Sequence, residues 1–322
     1  MIVKPRKIPD IVLEIDAILN RLAFFHPKRP WLEEDRKSYL TGYRGELQVD
    51  YHLELIDNDN MLIFADLRLI HQNQAFQMDT LIICPYFILI IESKNIAGTL
   101  TFEKDSTQMI RELDGKKQGF KNPLVQVARQ KEQLMGWLKK RKIPLIPVED
   151  LVGIADRRTV IITSDNNRAI FKKIIHVDIL NEKIKQFEAT HTQNPLSKKQ
   201  LHKLKNLLLR EHTPAPPSIL KKQNIGESEI IIGIQCPICK QFSLRRQIQS
   251  WYCSKCQSYS KNGHIQAVYD YFLIKNTTIS NKECREFLKL ECPNLAKKLL
   301  VRMKLPISGS NKNRLYHRPP NL

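Results

Sequence analysis

The sequence predicts an α/β domain, a mixed sheet flanked by helices, followed by a four-cysteine module and a small basic helical module. Three observations carry this. Short apolar runs rich in β-branched residues alternate with segments of helical spacing as far as residue 212. Two CxxC pairs stand close together beyond a proline-rich stretch. The positive charge sits at one end: residues 197–322 hold 23 Lys and Arg against 7 Asp and Glu (23 − 7 = +16), whereas residues 1–196 hold 29 against 26 (29 − 26 = +3).

A chain of 322 residues with 42% hydrophobic content is expected to be globular and to form two or three domains. Charges interrupt the apolar positions of PDIVLEIDAILNRLAFFHPKRP every few residues, so neither a signal-peptide core nor an 18-residue apolar span is read. The expectation is a soluble, cytoplasmic protein that makes no use of a membrane.

The elements follow in order. Residues 9–24 repeat apolar side chains at helical spacing, and a second helix is expected from about Trp31 to Leu55. LIFADLRLI, FQMDTLII and FILIIESK read as strands. Asn122-Pro123 opens a helix to about Lys140 with Leu124, Val127, Leu134 and Leu138 as its core stripe. LVGIA and TVIIT are short strands, LNEKIKQF a helix, and SKKQLHKLKNLLLRE an amphipathic helix that ends before the linker-like TPAPPS. The domain division expected is a helical extension at 1–36, the α/β domain at 37–212, a linker at 213–229, the cysteine module at 230–262 and the basic module at 263–322.

The run at 76–95 is apolar yet contains Asp79, Glu92 and Lys94. If its two strands form a hairpin turning at Pro85-Tyr86, paired positions sum to 171, so Asp79 faces Glu92 and Gln77 faces Lys94. Like charges at opposed positions destabilise a sheet unless something compensates, and a divalent cation would. Strand alternation puts Glu92 and Lys94 on one face and Ser93 on the other. Two carboxylates make a hard oxygen site suited to Mg²⁺ or Mn²⁺, and an adjacent ammonium suits a reaction in which charge develops on phosphate. On spacing alone the ordinary reading is a strand end meeting water.

The motifs GYRGE (42–46), FQMD (76–79), ESKN (92–95), Gly98 and NPLVQ (122–126) together change that balance. In order and spacing, residues 37–145 resemble the NERD domain, the nuclease-related domain placed among PD-(D/E)XK phosphodiesterases. The resemblance implies a restriction-endonuclease-like core, with Glu46 on the first core helix, Asp79 and Glu92 as metal ligands, Lys94 as the catalytic lysine and Gln126 as an accessory polar group. Two departures stand out: Pro85-Tyr86-Phe87 where relatives carry a turn glycine, and ESK for the commoner ETK. His52 and His71 read as surface residues.

CPICKQFSLRRQIQSWYCSKC supplies Cys236, Cys239, Cys253 and Cys256, two knuckles whose spacing suits a tetrahedral, structural Zn²⁺. No βαβ context supports a redox pair instead. The module resembles a zinc ribbon of the type appended to topoisomerases, with Phe242, Leu244, Ile248 and Trp251 available to pack. Arg245, Arg246, Trp251 and Tyr252 offer charge and stacking faces to nucleic acid, although ribbons also bind proteins.

The last sixty residues suggest three short helices, the second opened by a Ser280–Glu283 capping box, and then a basic turn and strand pair, ISGSNKNRLYHRP. This resembles a winged helix, with Lys297, Lys298, Arg302, Lys304, Lys312 and Arg314 as phosphate contacts. A small helical cap with a solvated basic face is the plain alternative. The whole reads as a metal-dependent nuclease brought to DNA by its basic half. The competing reading is a nucleic-acid-binding or regulatory protein whose nuclease-like domain no longer cuts.

Overall fold

In the computed structural model, the apolar run at 62–94 forms three antiparallel strands, and both faces of the sheet are covered. The structure describes all residues except 57–59, 104–106, 145, 164–167, 194 and 320–321, and the side chain of Lys312. Along the chain the elements are β1 (Ile2–Lys4), α1 (Asp10–Arg21), α2 (Arg29–Glu54), β2 (Leu62–His71), β3 (Gln74–Ile83), β4 (Ile88–Lys94), β5 (Thr99–Phe102), β6 (Gln108–Leu113) and β7 (Lys116–Lys121). There follow α3 (Pro123–Lys140), β8 (Val148–Ile154), β9 (Val160–Thr163), β10 (Ile174–His176), α4 (Leu180–Thr190), α5 (Lys198–Glu211) and α6 (Ile219–Lys222). The chain ends with β11 (Leu244–Arg246), β12 (Trp251–Cys253), β13 (Tyr259–Ser260), α7 (Gly263–Ile274), β14 (Thr278–Ser280), α8 (Asn281–Leu288), α9 (Pro293–Arg302), β15 (Ile307–Ser308) and β16 (Leu315–His317).

These elements form two compact units, one of residues 1–7 and 40–214, the other of 8–39 and 215–322. The first thirty-six residues are therefore divided: the first seven pair with the α/β sheet, and α1 packs in the second unit. No helix among the described residues is long and apolar enough to cross a membrane.

In the first unit the main sheet has the order β1-β2-β3-β4-β8-β10, with β2, β3 and β4 antiparallel and β8 and β10 added in parallel. Alternation along β4 sends Ile88 and Ile90 into the core beneath α3, with Trp137, and Leu89 and Ile91 into the core beneath α2, with Val49. A strand buried on both faces reads as a continuous apolar run, which is why FILII carries no polar beat. Glu92 shares parity with Ile90 and so emerges on the α3 side. Asn122 caps α3 by accepting the Leu124 N–H, with Pro123 at the first position, as expected.

A second sheet of order β7-β6-β5-β9 was not expected from the sequence. Its strands are polar on one side and short, and Gly98 at its entry has φ +106° with the Glu112 carbonyl 2.4 Å from where a Cβ would sit, so only glycine fits. TPAPPS is anchored at each end: the Thr213 N–H donates to the Arg68 carbonyl, and the Ser218 and Ile219 N–H groups donate to Glu14 Oε1.

In the second unit, the three-stranded sheet β11-β12-β13 and the helices α7 to α9 share one core, in which Leu244, Trp251 and Cys253 meet Val268, Phe272, Leu299 and Tyr316. The tail runs helix, strand, helix, helix, strand, strand, with sheet order β14-β16-β15, the connectivity expected of a winged helix. Ser280 caps α8 in a capping box with Glu283. Arg21 of α1 is fully buried, donating to Asp270 at 2.7 Å and to the Ile231 carbonyl at 2.9 Å, between the Phe242 and Phe287 rings.

Four expected placements need correction. Ile248, expected to pack in the ribbon, is 97% exposed, because it falls in the tight turn between β11 and β12. Trp251 is 1% exposed, its indole N–H donating to His264 Nδ1, so its faces are taken up by the unit's own core. His52 is buried 3.5 Å from Asp178, and His71 is half-buried against Gly136.

Candidate functional site

The β3–β4 ladder runs from Ile83↔Ile88 to Thr80↔Ile91, so the pairs sum to 171 and Asp79 stands opposite Glu92 one step beyond its end. Gln77 and Lys94 do not continue that ladder: the Ser93 N–H turns instead to Asp79 Oδ2 at 3.0 Å. On the other side of β3, Ala65↔Thr80 and Leu67↔Met78 place Asp66 opposite Asp79. Three carboxylates thus fall in one row across β2, β3 and β4.

Glu46 reaches this row from α2. Gly45 makes the approach possible, since a Cβ there would lie 2.5 Å from the Asn95 side chain, and Asn95 Nδ2 donates to the Thr41 carbonyl at 2.8 Å. The GE and ESKN motifs are therefore two halves of one helix–strand contact. From α3, Gln126 Nε2 donates to Glu92 Oε1 at 2.6 Å and Gln130 Nε2 to Glu92 Oε2 at 2.8 Å. Lys94 donates to Glu92 Oε1 as well, and to Gln126 Oε1 at 3.3 Å.

Burial, then repulsion from Glu92 and Glu46, pushes the Asp79 carboxyl well above the usual range, although Lys94 and the Ser93 amide pull the other way. Burial, then Asp66, pushes Glu46 up to about 7 against the opposing pull of Arg6. So much negative charge in a poorly hydrated row favours either a proton or a cation there.

The site contains three polar side chains that sequence reasoning missed: Asp66 on β2, Gln130 and Arg6. Gln130 lies one turn after Gln126, a spacing that the NPLVQ motif does not mark. Arg6 lies far upstream, carried in by β1, and donates to Glu46, Asp50 and Asp66 and to the Asp79 carbonyl. A three-residue strand, IVK, gives little signal in sequence, and nothing in it marks the arginine two positions on.

The four cysteines are the only group of three or more metal-capable side chains, among the described residues, whose ligand atoms all lie within 4.8 Å of one another. Cys236 and Cys256 Sγ are 3.7 Å apart, and Cys239 and Cys253 Sγ 3.6 Å. The Cys256 N–H, then the Ser243 hydroxyl, hold the Cys253 thiol down at about 6, while against the Gln241 amide, burial and the neighbouring thiols push Cys239 up to about 11.

Of the expected phosphate contacts, Arg245, Lys297, Lys298, Arg302 and Lys304 are exposed and Arg246 and Arg314 half-buried. Lys312 falls outside the described side chains. Arg246 lies over the Trp251 ring at 5.2 Å, and burial, then the charge of Arg302, lowers its pKa.

A mixed sheet with carboxylates facing each other at one end of an antiparallel pair, a lysine two residues past the second, and glutamines descending from the following helix is the layout of a nuclease-like core. Residues 41–155 match the model of the nuclease-related domain family, NERD. The match takes in Glu46, Asp79, Glu92, Lys94 and Gln126 and stops short of Arg6 and the cysteine module. No curated protein and no solved structure matches the chain.

Proposed function

We propose that the chain is a metal-dependent nuclease that hydrolyses phosphodiester bonds of DNA in the cytoplasm. In this reading the NERD unit carries the chemistry and the basic second unit supplies affinity. The observation that carries it is the facing of Asp79 and Glu92 with Glu46 close by and one ammonium beside them.

The residues present fit a hard divalent cation: the donors are carboxylate oxygens, and the surplus negative charge that raises Asp79 is what such an ion offsets. Asp79 and Glu92 would hold Mg²⁺ or Mn²⁺, with Glu46 at its edge. The ion, when bound, supplies polarisation of the phosphate and a more acidic water. Gln126 and Gln130 orient the Glu92 carboxylate. Lys94 is 23% exposed on a flexible stem, so its ammonium can leave Glu92 and donate to a phosphate oxygen as charge develops there. In the second unit the cysteines would hold a structural Zn²⁺, and Arg245, Arg246, Lys297, Lys298, Arg302, Lys304 and Arg314 would meet phosphates.

One observation favours the non-cutting reading. Both oxygens of Glu92 are already engaged, by Lys94 and Gln126 on one side and Gln130 on the other. A single assay separates the two: purified protein with linear, circular and single-stranded DNA in Mg²⁺ or Mn²⁺, beside Lys94→Ala. Cleavage by the parent and none by the variant supports the nuclease. Binding without cleavage by either supports a DNA-binding or regulatory role.

A further inference from the structure

We propose that Arg6, outside the residues matched by the family model, is a positioning residue of the metal centre that fixes Glu46 and the β3 backbone at Asp79 for a divalent cation. The inference rests on the metal-dependent reading above and extends it to a residue that the nuclease-related domain itself does not contain.

The N-terminal strand exists to deliver this side chain. β1 pairs in parallel with β2 at Ile2↔Ile63 and Lys4↔Phe64, the terminal amine donates to the Met61 carbonyl at 2.7 Å, and Lys4 Nζ donates to the Ala65 carbonyl at 2.7 Å. Pro5 follows, and the next side chain turns inward until its guanidinium is 2% exposed. Nε and Nη2 grip Asp50 at 2.7 and 3.0 Å in a two-pronged bond. Nη1 donates to Glu46 Oε2 at 3.0 Å and Asp66 Oδ1 at 3.2 Å. Nη2 also donates to the Asp79 carbonyl at 3.0 Å and Thr80 Oγ1 at 2.8 Å.

One planar group therefore ties together α2, β2 and β3, three of the elements from which the site is assembled. The β3 bond falls where it is most needed, beside Asp66, whose φ of +50° interrupts the β2 strand conformation opposite Asp79. A guanidinium can make these bonds at once because its five donors lie in a fixed fork. A lysine ammonium at the same place would keep the charge but lose the geometry. Three carboxylates around one guanidinium also leave the pocket negative, so Arg6 orients the acids without cancelling their pull on a cation.

Groups that orient metal ligands are worth about 10–100-fold in metal affinity. The test is Mn²⁺ titration of the full-length, zinc-loaded chain by electron paramagnetic resonance, with thermal melting and zinc content measured alongside. Arg6→Lys is expected to melt within a few degrees of the parent, keep its zinc and bind Mn²⁺ about 10–100-fold more weakly, with Arg6→Ala at least as weak. If Arg6→Ala does not fold, the lysine variant decides. An Arg6→Lys protein binding Mn²⁺ as tightly as the parent would show that the arginine only staples the fold, and an Arg6→Lys protein that cannot fold would show the same. A parent that binds no Mn²⁺ overturns the metal-dependent reading together with the inference, whereas unchanged binding in the variant overturns the inference alone.

Discussion

Gln130 Nε2 donates to Glu92 Oε2 at 2.8 Å and to the Gln77 carbonyl at 2.9 Å, so one buried amide joins α3 to the end of β3 and the candidate ligand on β4. Glu92 itself is buried to 2%. Gln130→Leu removes a charge-assisted bond from a carboxylate that water cannot reach, which costs about 1–3 kcal/mol. Urea denaturation should show that loss. If the chain is the metal-dependent nuclease proposed above, cleavage should also fall by about 10–100-fold with DNA binding unchanged, because the carboxylate would no longer be held towards the ion.

The facing of Asp79 and Glu92, one step beyond the β3–β4 ladder, was legible from alternation and turn position, because both strands lack bulges over the paired stretch and Pro85-Tyr86 leaves a short turn. The three helices and basic strands of the tail were legible through caps and periodicity. Contributions from short or distant segments were not. The three residues of β1 have no pattern of their own and are a strand only because the edge of β2 is there to pair with. Of the two ribbon residues expected to pack, Trp251 does and Ile248 does not, because Ile248 lies in the turn between β11 and β12, where strand alternation is broken. His52 looked like a helix-surface residue, but α2 is covered on that side by the segment bearing Asp178.

If the four cysteines hold zinc as proposed, its removal should unfold more than the cysteine module. Cys236 and Cys253 belong to the same buried cluster as Phe272, Leu299 and Tyr316, so opening the knuckles exposes the core on which α7 and α9 pack. Cys253→Ser, or treatment with a strong chelator, is expected to abolish the cooperative melting of this unit, since structural zinc contributes folding energy directly. Heteronuclear NMR should then show collapsed dispersion for residues 263–322.

If the second unit binds DNA as proposed, Arg246 and Arg302 each contact phosphate. Arg246→Ala with Arg302→Ala should flatten the dependence of log affinity on log salt by about two contacts' worth, and by similar amounts for unrelated DNA sequences. Fluorescence anisotropy with duplexes of different sequence between low and moderate salt measures both. An unchanged slope would place the DNA elsewhere.

Glu14 gives the clearest pH signature. Its carboxylate is buried and accepts the Ser218 and Ile219 N–H groups, and burial outweighs those two bonds, raising it from 4.5 to about 7. A carboxyl that binds its proton more tightly folded than unfolded stabilises the fold fully below the unfolded pKa. The contribution is lost as pH rises from about 4.5 towards 7 and stays lost above it. A shift of that size corresponds to at most about 3 kcal/mol. Glu14→Gln keeps an oxygen acceptor without the charge, so denaturation midpoints of the second unit should fall between pH 5 and pH 8 in the parent and change much less in the variant. Equal slopes in the two proteins would mean that Glu14 is ionised throughout, and that the two amides outweigh its burial.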